Sequence, residues 1–276
     1  MTTDGRSARG LAYALDDCRP PWRRDGKPII FHHGIGTNRD IWSEWLPHVA
    51  TRHAVVRFDF RGFGRSVIPV REHRWTMDEL LDDLFEMADL VEDGPVHLVG
   101  ESMGGTVALA AALKRPERVA SVTMSNAAYK GSGIGRLPQW RAEIERDGIA
   151  AWAERMMALR FAPGAADPDK LAWFAAEQAR AAPHVVLGLG ELLARQDLTE
   201  SAPGLKVPLL ILAPDSSPFV PVRQAAELVE LIPHAELCVL AGVRHGLPFS
   251  HATEAARLTA DFLERVESGR AGRARL

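Results

Sequence analysis

Residues 100–104 read Gly-Glu-Ser-Met-Gly, a serine flanked at two-residue distance by glycines. The apolar run Pro95–Val99 precedes them and a helix-forming run, Thr106–Leu113, follows. A strand, a Gly-flanked serine and a helix in that order make a nucleophile elbow, in which a sharp strained turn holds a hydroxyl at the end of a sheet. Gly100 and Gly104 suit such a turn because they have no Cβ to clash in it. The helix that follows directs the positive end of its dipole at the same point. The plainer reading of the pentapeptide alone is a serine in a Gly-rich strand–helix turn, because short motifs recur by chance.

Upstream, the buried-strand signature Pro28–Phe31 runs into His32-His33-Gly34-Ile35-Gly36. A Gly-rich loop after a buried strand can converge backbone N–H groups on one point, and such groups stabilise the negative oxygen of an acyl-transfer intermediate. The amides of Ile35 and of Met103, the residue after the serine, are the expected oxyanion donors. Paired histidines also suggest a metal, but no His-x-x-x-His spacing or Cys cluster accompanies them, and no metal or cofactor is expected. Trp42 either lines a pocket or packs in the core. Asp59-Phe60-Arg61-Gly62-Phe63-Gly64-Arg65-Ser66 follows the strand His53–Phe58, and Asp59 and Arg61 are expected to fix a tight Gly turn without taking part in chemistry.

These segments together resemble the α/β-hydrolase fold enzymes: His33-Gly34, then Asp59-x-Arg61-Gly62-x-Gly64-x-Ser66, then Gly100-x-Ser102-x-Gly104-Gly105, in the family's order and spacing. The resemblance extends from about residue 11 to about 267. It implies a serine nucleophile, Ser102, with a base and an acid, and a serine needs such a base to become nucleophilic. In the family's chain order the base comes last, which selects His245 in the loop after the final predicted strand, with His251 as a surface or capping residue. The acid departs from the pattern. The family places an Asp four residues before a proline in the loop after the strand at 207–213. Here that position, counted from Pro221, is Ser217. Asp215 is the only carboxylate of that loop and is assigned as the acid. The other acid position, after the strand ending near Ser125, holds Asn126. Three outcomes stay open: Asp215 reaches His245 through a reshaped loop, a Ser or Asn orients the histidine, or the triad is impaired.

Stepping along the chain, strands are expected near 11–15, 28–32, 54–59, 95–100, 119–125, 207–213 and 235–240. Helices are expected near 39–51, 76–92, 104–114, 222–231 and 252–267, with a capping box at Thr76–Glu79. This alternation predicts an α/β fold, a mostly parallel central sheet flanked by helices. Residues 127–205 interrupt it with helical periodicity over Arg141–Arg146, Ile149–Leu159 and Asp169–Ala181, broken at Ala162-Pro163-Gly164 and Ala202-Pro203-Gly204. The core is then 1–126 and 206–276. The insertion is a helical cap that excludes water and shapes a pocket, or simply an added stabilising subdomain.

Gln139-Trp140-Arg141, Asp147-Gly148-Ile149, Leu159-Arg160-Phe161 and Asp197-Leu198 resemble the cap of 3-oxoadipate enol-lactonases. That resemblance implies a lactone substrate bearing a carboxylate, which Arg141 or Arg160 would pair with. Trp140 joins them as a candidate pocket residue, although aromatic residues and cap arginines are more often packing or solvated groups. Three functions are weighed: a serine hydrolase of a small ester or lactone, a carbon–carbon bond hydrolase of vinylogous diketones, and a slow-turnover binding protein on the same fold.

Composition fits a small-molecule enzyme. The 276 residues are 46% hydrophobic and 25% charged, within globular norms. A net charge of −3 with no basic stripe argues against nucleic acid. No apolar run reaches a membrane-spanning length, and the polar first ten residues lack a secretory pattern. Two cysteines, Cys18 and Cys238, suggest a reducing cytoplasm, with Cys238 a buried thiol. The sequence leaves monomer and homo-oligomer both open.

Overall fold

The computed structural model describes residues 2–91, 94–131 and 136–271. The end of the helix expected at 76–92 and residues 132–135 of the expected cap lie outside them. Eight strands form one sheet among the described residues: β1 (Thr2–Arg6), β2 (Ala12–Asp16), β3 (Gly26–His32), β4 (His53–Phe58), β5 (Val96–Glu101), β6 (Val119–Ser125), β7 (Leu209–Pro214) and β8 (Glu236–Leu240). Their order is β1-β2-β4-β3-β5-β6-β7-β8. β1 and β2 pair antiparallel, β2 runs antiparallel to β4, and all later pairs are parallel. β1 has no apolar alternation in Thr-Thr-Asp-Gly-Arg and lies exposed at the edge, so hydrophobic periodicity gives no sign of it.

β4 and β5 are buried at every position, which is why both read as near-continuous apolar runs. β4 lies on one side of β3 and β5 on the other. The connections therefore change direction at β3, and a crevice opens at the carboxyl ends of β3 and β5.

The helices of the frame follow the sequence closely. A 3₁₀ turn, Arg39–Trp45, leads into α1 (Leu46–Val49) where one helix was expected. α2 (Met77–Ala88) begins with the expected cap, the Thr76 hydroxyl accepting the Glu79 N–H. α3 (Met103–Lys114) is buried from Met103 through Ala112. Between β6 and β7 lie α4 (Leu137–Arg160), α5 (Pro168–Ala179) and α6 (Pro183–Arg195). α4 joins the two helices expected there across a kink at Gly148, whose φ of 82° is outside helical space. α7 (Val222–Leu231), α8 (Leu247–Ser250) and α9 (Ala252–Glu267) complete the chain. Cys238 is half-buried, not enclosed, because β8 is the sheet's far edge.

Asp59 holds its turn as expected, its carboxylate accepting the N–H groups of Arg39 and Arg65 at 2.9 Å each. Arg61 does something else. It reaches α2 and pairs with Asp83 through two hydrogen bonds of 2.6 and 2.7 Å, while Arg9 adds a third at 2.6 Å. The Asp83 side chain is 1% exposed, so it is a desolvated anion held by two guanidinium groups. Removing it leaves the largely buried Arg61 with only Glu79, at 3.6 Å, and breaking an enclosed pair costs several kcal/mol. Asp83→Ala is expected to lower unfolding free energy by about 3 kcal/mol, measured as a shift in urea midpoint at unchanged slope. A loss below about 0.5 kcal/mol would show that this cluster is no more than a surface ion pair.

Candidate active site

β5 ends at Glu101, and Ser102 turns the chain into α3 with φ 52° and ψ −118°. A non-glycine residue at positive φ is uncommon and costs free energy, about 1–3 kcal/mol where the backbone is strained. The turn closes only because its flanks are bare. A Cβ on Gly100 would stand 2.3 Å from the Gly104 carbonyl carbon, and one on Gly104 would stand 2.2 Å from the His32 oxygen. The Ser102 N–H donates to the Ser125 carbonyl at 3.0 Å, tying the turn to β6.

His245 lies in the loop after β8 and is 4% exposed. Its Nε2 is 3.1 Å from Ser102 Oγ. Its backbone carbonyl accepts a 2.7 Å hydrogen bond from Asn126 Nδ2, and the Phe219 ring meets the imidazole edge-on at 4.7 Å. Burial first, and then the nearby Arg160 cation, push the imidazole well below its ordinary range. It is therefore neutral near pH 7 and able to accept a proton by charge state.

The acid assignment is corrected. Asp215 does not approach His245: its Oδ1 accepts the Gly242 N–H and the Ser216 hydroxyl, each at 2.8 Å, on the exposed side of the loop. Its backbone N–H also donates to Leu240 in the β8 strand, so the residue is fixed at the end of the β7–β8 pairing with its side chain directed away. The atom beside His245 Nδ1 is Ser217 Oγ at 3.1 Å. Counting four residues back from Pro221 identifies this position, and choosing by residue type instead led to Asp215.

The loop after β3 supplies the amides. His33 Nδ1–H donates to the Gly34 carbonyl at 2.8 Å, and His33 Nε2 accepts the Phe60 N–H at 2.7 Å. Both ring nitrogens are thereby used, and the tautomer is set by its partners. With the Gly34 oxygen drawn to His33, the trans peptide turns the Ile35 N–H the opposite way. On the far side of that residue, the Ile35 carbonyl accepts Arg160 Nη2 at 2.8 Å. The Met103 N–H is the first of α3, unpaired within the helix by geometry. Among the described residues neither amide has an acceptor within the protein. Ile35, Ser102 and His245 line one pocket with Ala128 from the segment after β6 and Trp140, Met156, Arg160 and Leu193 from α4 and α6.

Arg160 is 4% exposed. Its Nε donates to Gln178 Oε1 at 2.8 Å, and Nη1 stands 3.8 Å from Glu101 Oε1. Glu101 is itself buried and accepts Asn126 Nδ2 at 3.1 Å. Burial pushes its carboxyl up, while Arg160 and Asn126 oppose the shift. Neither Glu101, in a variable position of the elbow pattern, nor Gln178 carries a sequence signal of this role.

The other candidates divide. Trp140, open in sequence to pocket or packing, lines the pocket that Ser102 and His245 share. Trp42 is core: it is fully buried against Phe31 at 4.7 Å and Trp45 at 5.0 Å, on the sheet side of its turn. Arg141 is on the outer face of α4, paired with Glu191 and Glu145, and does not reach the pocket. His53, His97 and Glu267 are at ligand-like spacing, but at the opposite end of the parallel strands. Three of their atoms are engaged internally, His53 Nδ1 with the Lys27 carbonyl, His97 Nδ1 with Ser121 Oγ, and Glu267 Oε1 with the Lys27 N–H, each at 2.8 Å, while His97 Nε2 faces Glu267 Oε1 at 3.5 Å without a hydrogen bond.

The sequence profile of a family described as alpha/beta hydrolase fold matches residues 27–252. The chain is 27% identical over 241 residues to 3-oxoadipate enol-lactonase 2 of Acinetobacter baylyi, covering 84% of this chain and 88% of that one. It is 29% identical over 258 residues to a pimeloyl-[acyl-carrier protein] methyl ester esterase of Photobacterium profundum, covering 88% and 98%. The crystal structure of an enol-lactonase from Burkholderia xenovorans superposes with a TM-score of 0.86 at 22% identity, over 95% of this chain and 100% of that one.

Burial holds His33 down at about 4, and burial together with the neighbouring His33 holds His32 down at about 3. Both are neutral in the folded protein and gain a proton near pH 6.5 when unfolded. The unfolded chain then binds more protons on acidification. The stability they contribute is complete above about pH 6.5 and is lost as pH falls toward 4 and then 3. Unfolding free energy is expected to fall between pH 7 and 4.5, with a shallower slope in His33→Gln. An equal slope in that variant would mean that His33 titrates normally.

Proposed function

The chain belongs to the α/β hydrolase fold family, and from that premise we propose that it is a serine hydrolase cleaving a small carboxylic ester or lactone through an acyl-enzyme. The observation that carries this reading is Ser102 Oγ at 3.1 Å from His245 Nε2, on a strained turn, beside two uncommitted amides. Ser102 adds to the carbonyl carbon as His245 takes its proton. The charge that develops on the carbonyl oxygen falls between the N–H groups of Ile35 and Met103, where preorganised donors act without reorganising. His245 then returns the proton to the leaving oxygen, and water hydrolyses the acyl-serine by the same steps in reverse order. In a lactone the leaving oxygen stays attached to the acyl chain, so ring opening produces a hydroxy acid or its keto form.

The segment 127–205 acts in this reading as a cap. Trp140, Met156 and Leu193 close the pocket from above and exclude water from the charged intermediate. Arg160 stands with Ser102 and His245 in the same pocket, and two of its five N–H donors are bonded, to Gln178 and Ile35. Its remaining donors suit a substrate carboxylate, which the name of the Acinetobacter relative also favours. The protein acts on a small molecule without nucleic acid, metal or cofactor. Two cysteines in 276 residues are too few for a disulfide framework, which favours a cytoplasmic setting, and no described helix is long and apolar enough to cross a membrane.

One observation favours a second reading, a binding protein with slow turnover: among the described residues no carboxylate contacts the His245 ring. Labelling and kinetics separate the two. A fluorophosphonate is expected to modify one residue, and Ser102→Ala is expected to abolish both labelling and ester turnover. Labelling that survives the substitution removes Ser102 from the role. In the unaltered protein, kcat/KM for short acyl esters and an enol-lactone is expected to exceed that for a 2-hydroxy-6-keto-dienoate. The reverse order would favour the carbon–carbon bond hydrolase.

A further inference from the structure

The loop between β7 and α7 holds an arrangement that sets where the proton of His245 resides. Ser217 Oγ is 3.3 Å from the Phe219 N–H and 3.2 Å from the Val220 N–H, both donating to it. It is also 3.1 Å from His245 Nδ1. A serine hydroxyl has two lone pairs and one hydrogen. Two backbone N–H groups occupy the lone pairs. The remaining interaction, with Nδ1, can only use the hydroxyl's own hydrogen, so Nδ1 is the acceptor. A neutral imidazole that accepts at one nitrogen carries its hydrogen on the other, and here that other nitrogen, Nε2, faces Ser102 Oγ at 3.1 Å.

Resting on the serine-hydrolase reading, we propose that Ser217 is a positioning residue that holds His245 in the tautomer with its hydrogen on Nε2, and so restrains the protein as a hydrolase. Nε2–H donates to Ser102 Oγ and cannot take the serine's proton. To act as base, His245 must first move its hydrogen to Nδ1, and Ser217 Oγ must then accept three N–H groups with two lone pairs or release one of them. A carboxylate at the same position would meet no such conflict, since its two oxygens offer about four acceptor sites. The two backbone N–H groups already aimed at residue 217 would hold it, as they would hold any anion. The site is therefore built for an acid and occupied by a hydroxyl.

Among the described residues no neighbouring charge relieves the restraint. Arg160, from α4, faces His245 across the pocket and disfavours a positive imidazole. Glu101, at the end of β5, is turned to Arg160 and Asn126, and Asp215 points outward to Gly242.

The test compares the unaltered protein with Ser217→Asp and Ser217→Ala. Nitrogen-15 NMR of the histidine rings, assigned with His245→Gln, is expected to show His245 protonated at Nε2 in the unaltered protein and at Nδ1 in Ser217→Asp. The second-order rate of fluorophosphonate labelling and kcat/KM for an ester are expected to rise at least about tenfold in Ser217→Asp, a fraction of the roughly 10⁴-fold that a wrong tautomer costs a triad. Ser217→Ala, which removes the donated hydrogen, is expected to keep or raise the labelling rate even if loop stability falls. A residue that only braced the loop would lower the melting temperature and leave the tautomer unmoved. A hydrogen on Nδ1 in the unaltered protein overturns the inference, as does a folded Ser217→Asp with no faster labelling. If Ser217→Asp does not fold, the tautomer of the unaltered protein decides alone. Absence of labelling at Ser102 in every protein defeats the hydrolase reading, and the NMR result still stands for or against Ser217.

Discussion

A serine held at φ 52° is the constraint around which the rest of this molecule is arranged. The turn does not stabilise itself. It persists because β5 enters it fully buried, α3 leaves it fully buried, and the Ser102 N–H is bound to β6. Each of these depends on close approach of main chain to main chain. Gly100 meets Gly104, Gly104 meets His32 of β3, and Gly34 of the β3 loop meets Ser102 and the Glu101 carboxylate, so the β3 loop and the elbow pack closely. The same contact brings the Ile35 amide beside Ser102. Strain, proximity and amide placement are thus consequences of one packing arrangement at the crevice between β3 and β5.

A second layer consists of charges enclosed between cap and core. Arg160 is the last residue of α4, yet its partners are Gln178 of α5, the Ile35 carbonyl and Glu101 of β5. Such a pair is weak evidence for stability, because desolvation of both ions offsets much of their attraction. Its use is geometric. The guanidinium holds the Ile35 peptide from one side while His33 holds the adjoining peptide from the other. The positions of α4 and of the Ile35 peptide are thereby connected through a single loop residue, and a displacement of α4 would be felt at the Ile35 amide.

What the sequence made readable follows from the kind of interaction involved. The parallel strands, α7 and α9 come from apolar periodicity, which is local. Ser102 and His245 come from turn chemistry with a fixed chain order. β1 escaped because an edge strand exposed on both faces has no apolar pattern to display. Trp42, open in sequence to pocket or core, faces the core, and Arg141, which the enol-lactonase resemblance offers as one partner for a substrate carboxylate, faces solvent. For these two, the deciding quantity is which side of an element a residue occupies relative to elements far away in sequence. Asp215 failed for another reason. A carboxylate attracts assignment wherever an acid is wanted, but the β7–β8 pairing commits its backbone N–H to Leu240 and its side chain to Gly242. Spacing from Pro221 pointed to Ser217, and spacing was the better guide because loop backbone determines direction before side-chain chemistry is considered.

The two halves of the candidate machinery differ in how a substitution can reach them. The amides of Ile35 and Met103 belong to the backbone and survive any change of side chain that leaves the glycine contacts intact. The partner of His245 Nδ1 is a side chain, replaceable by one mutation without disturbing a strand. Ser217 accepts two N–H groups that a carboxylate at the same position would also accept, so either side chain suits the loop, and only one of them carries a charge. A fold built in this way can lower its proton-transfer power and retain its pocket, its oxyanion donors and its stability. The lost term is confined to the stabilisation of imidazolium, a charge that exists only while the reaction proceeds. It therefore weighs on rate and leaves substrate binding to the pocket.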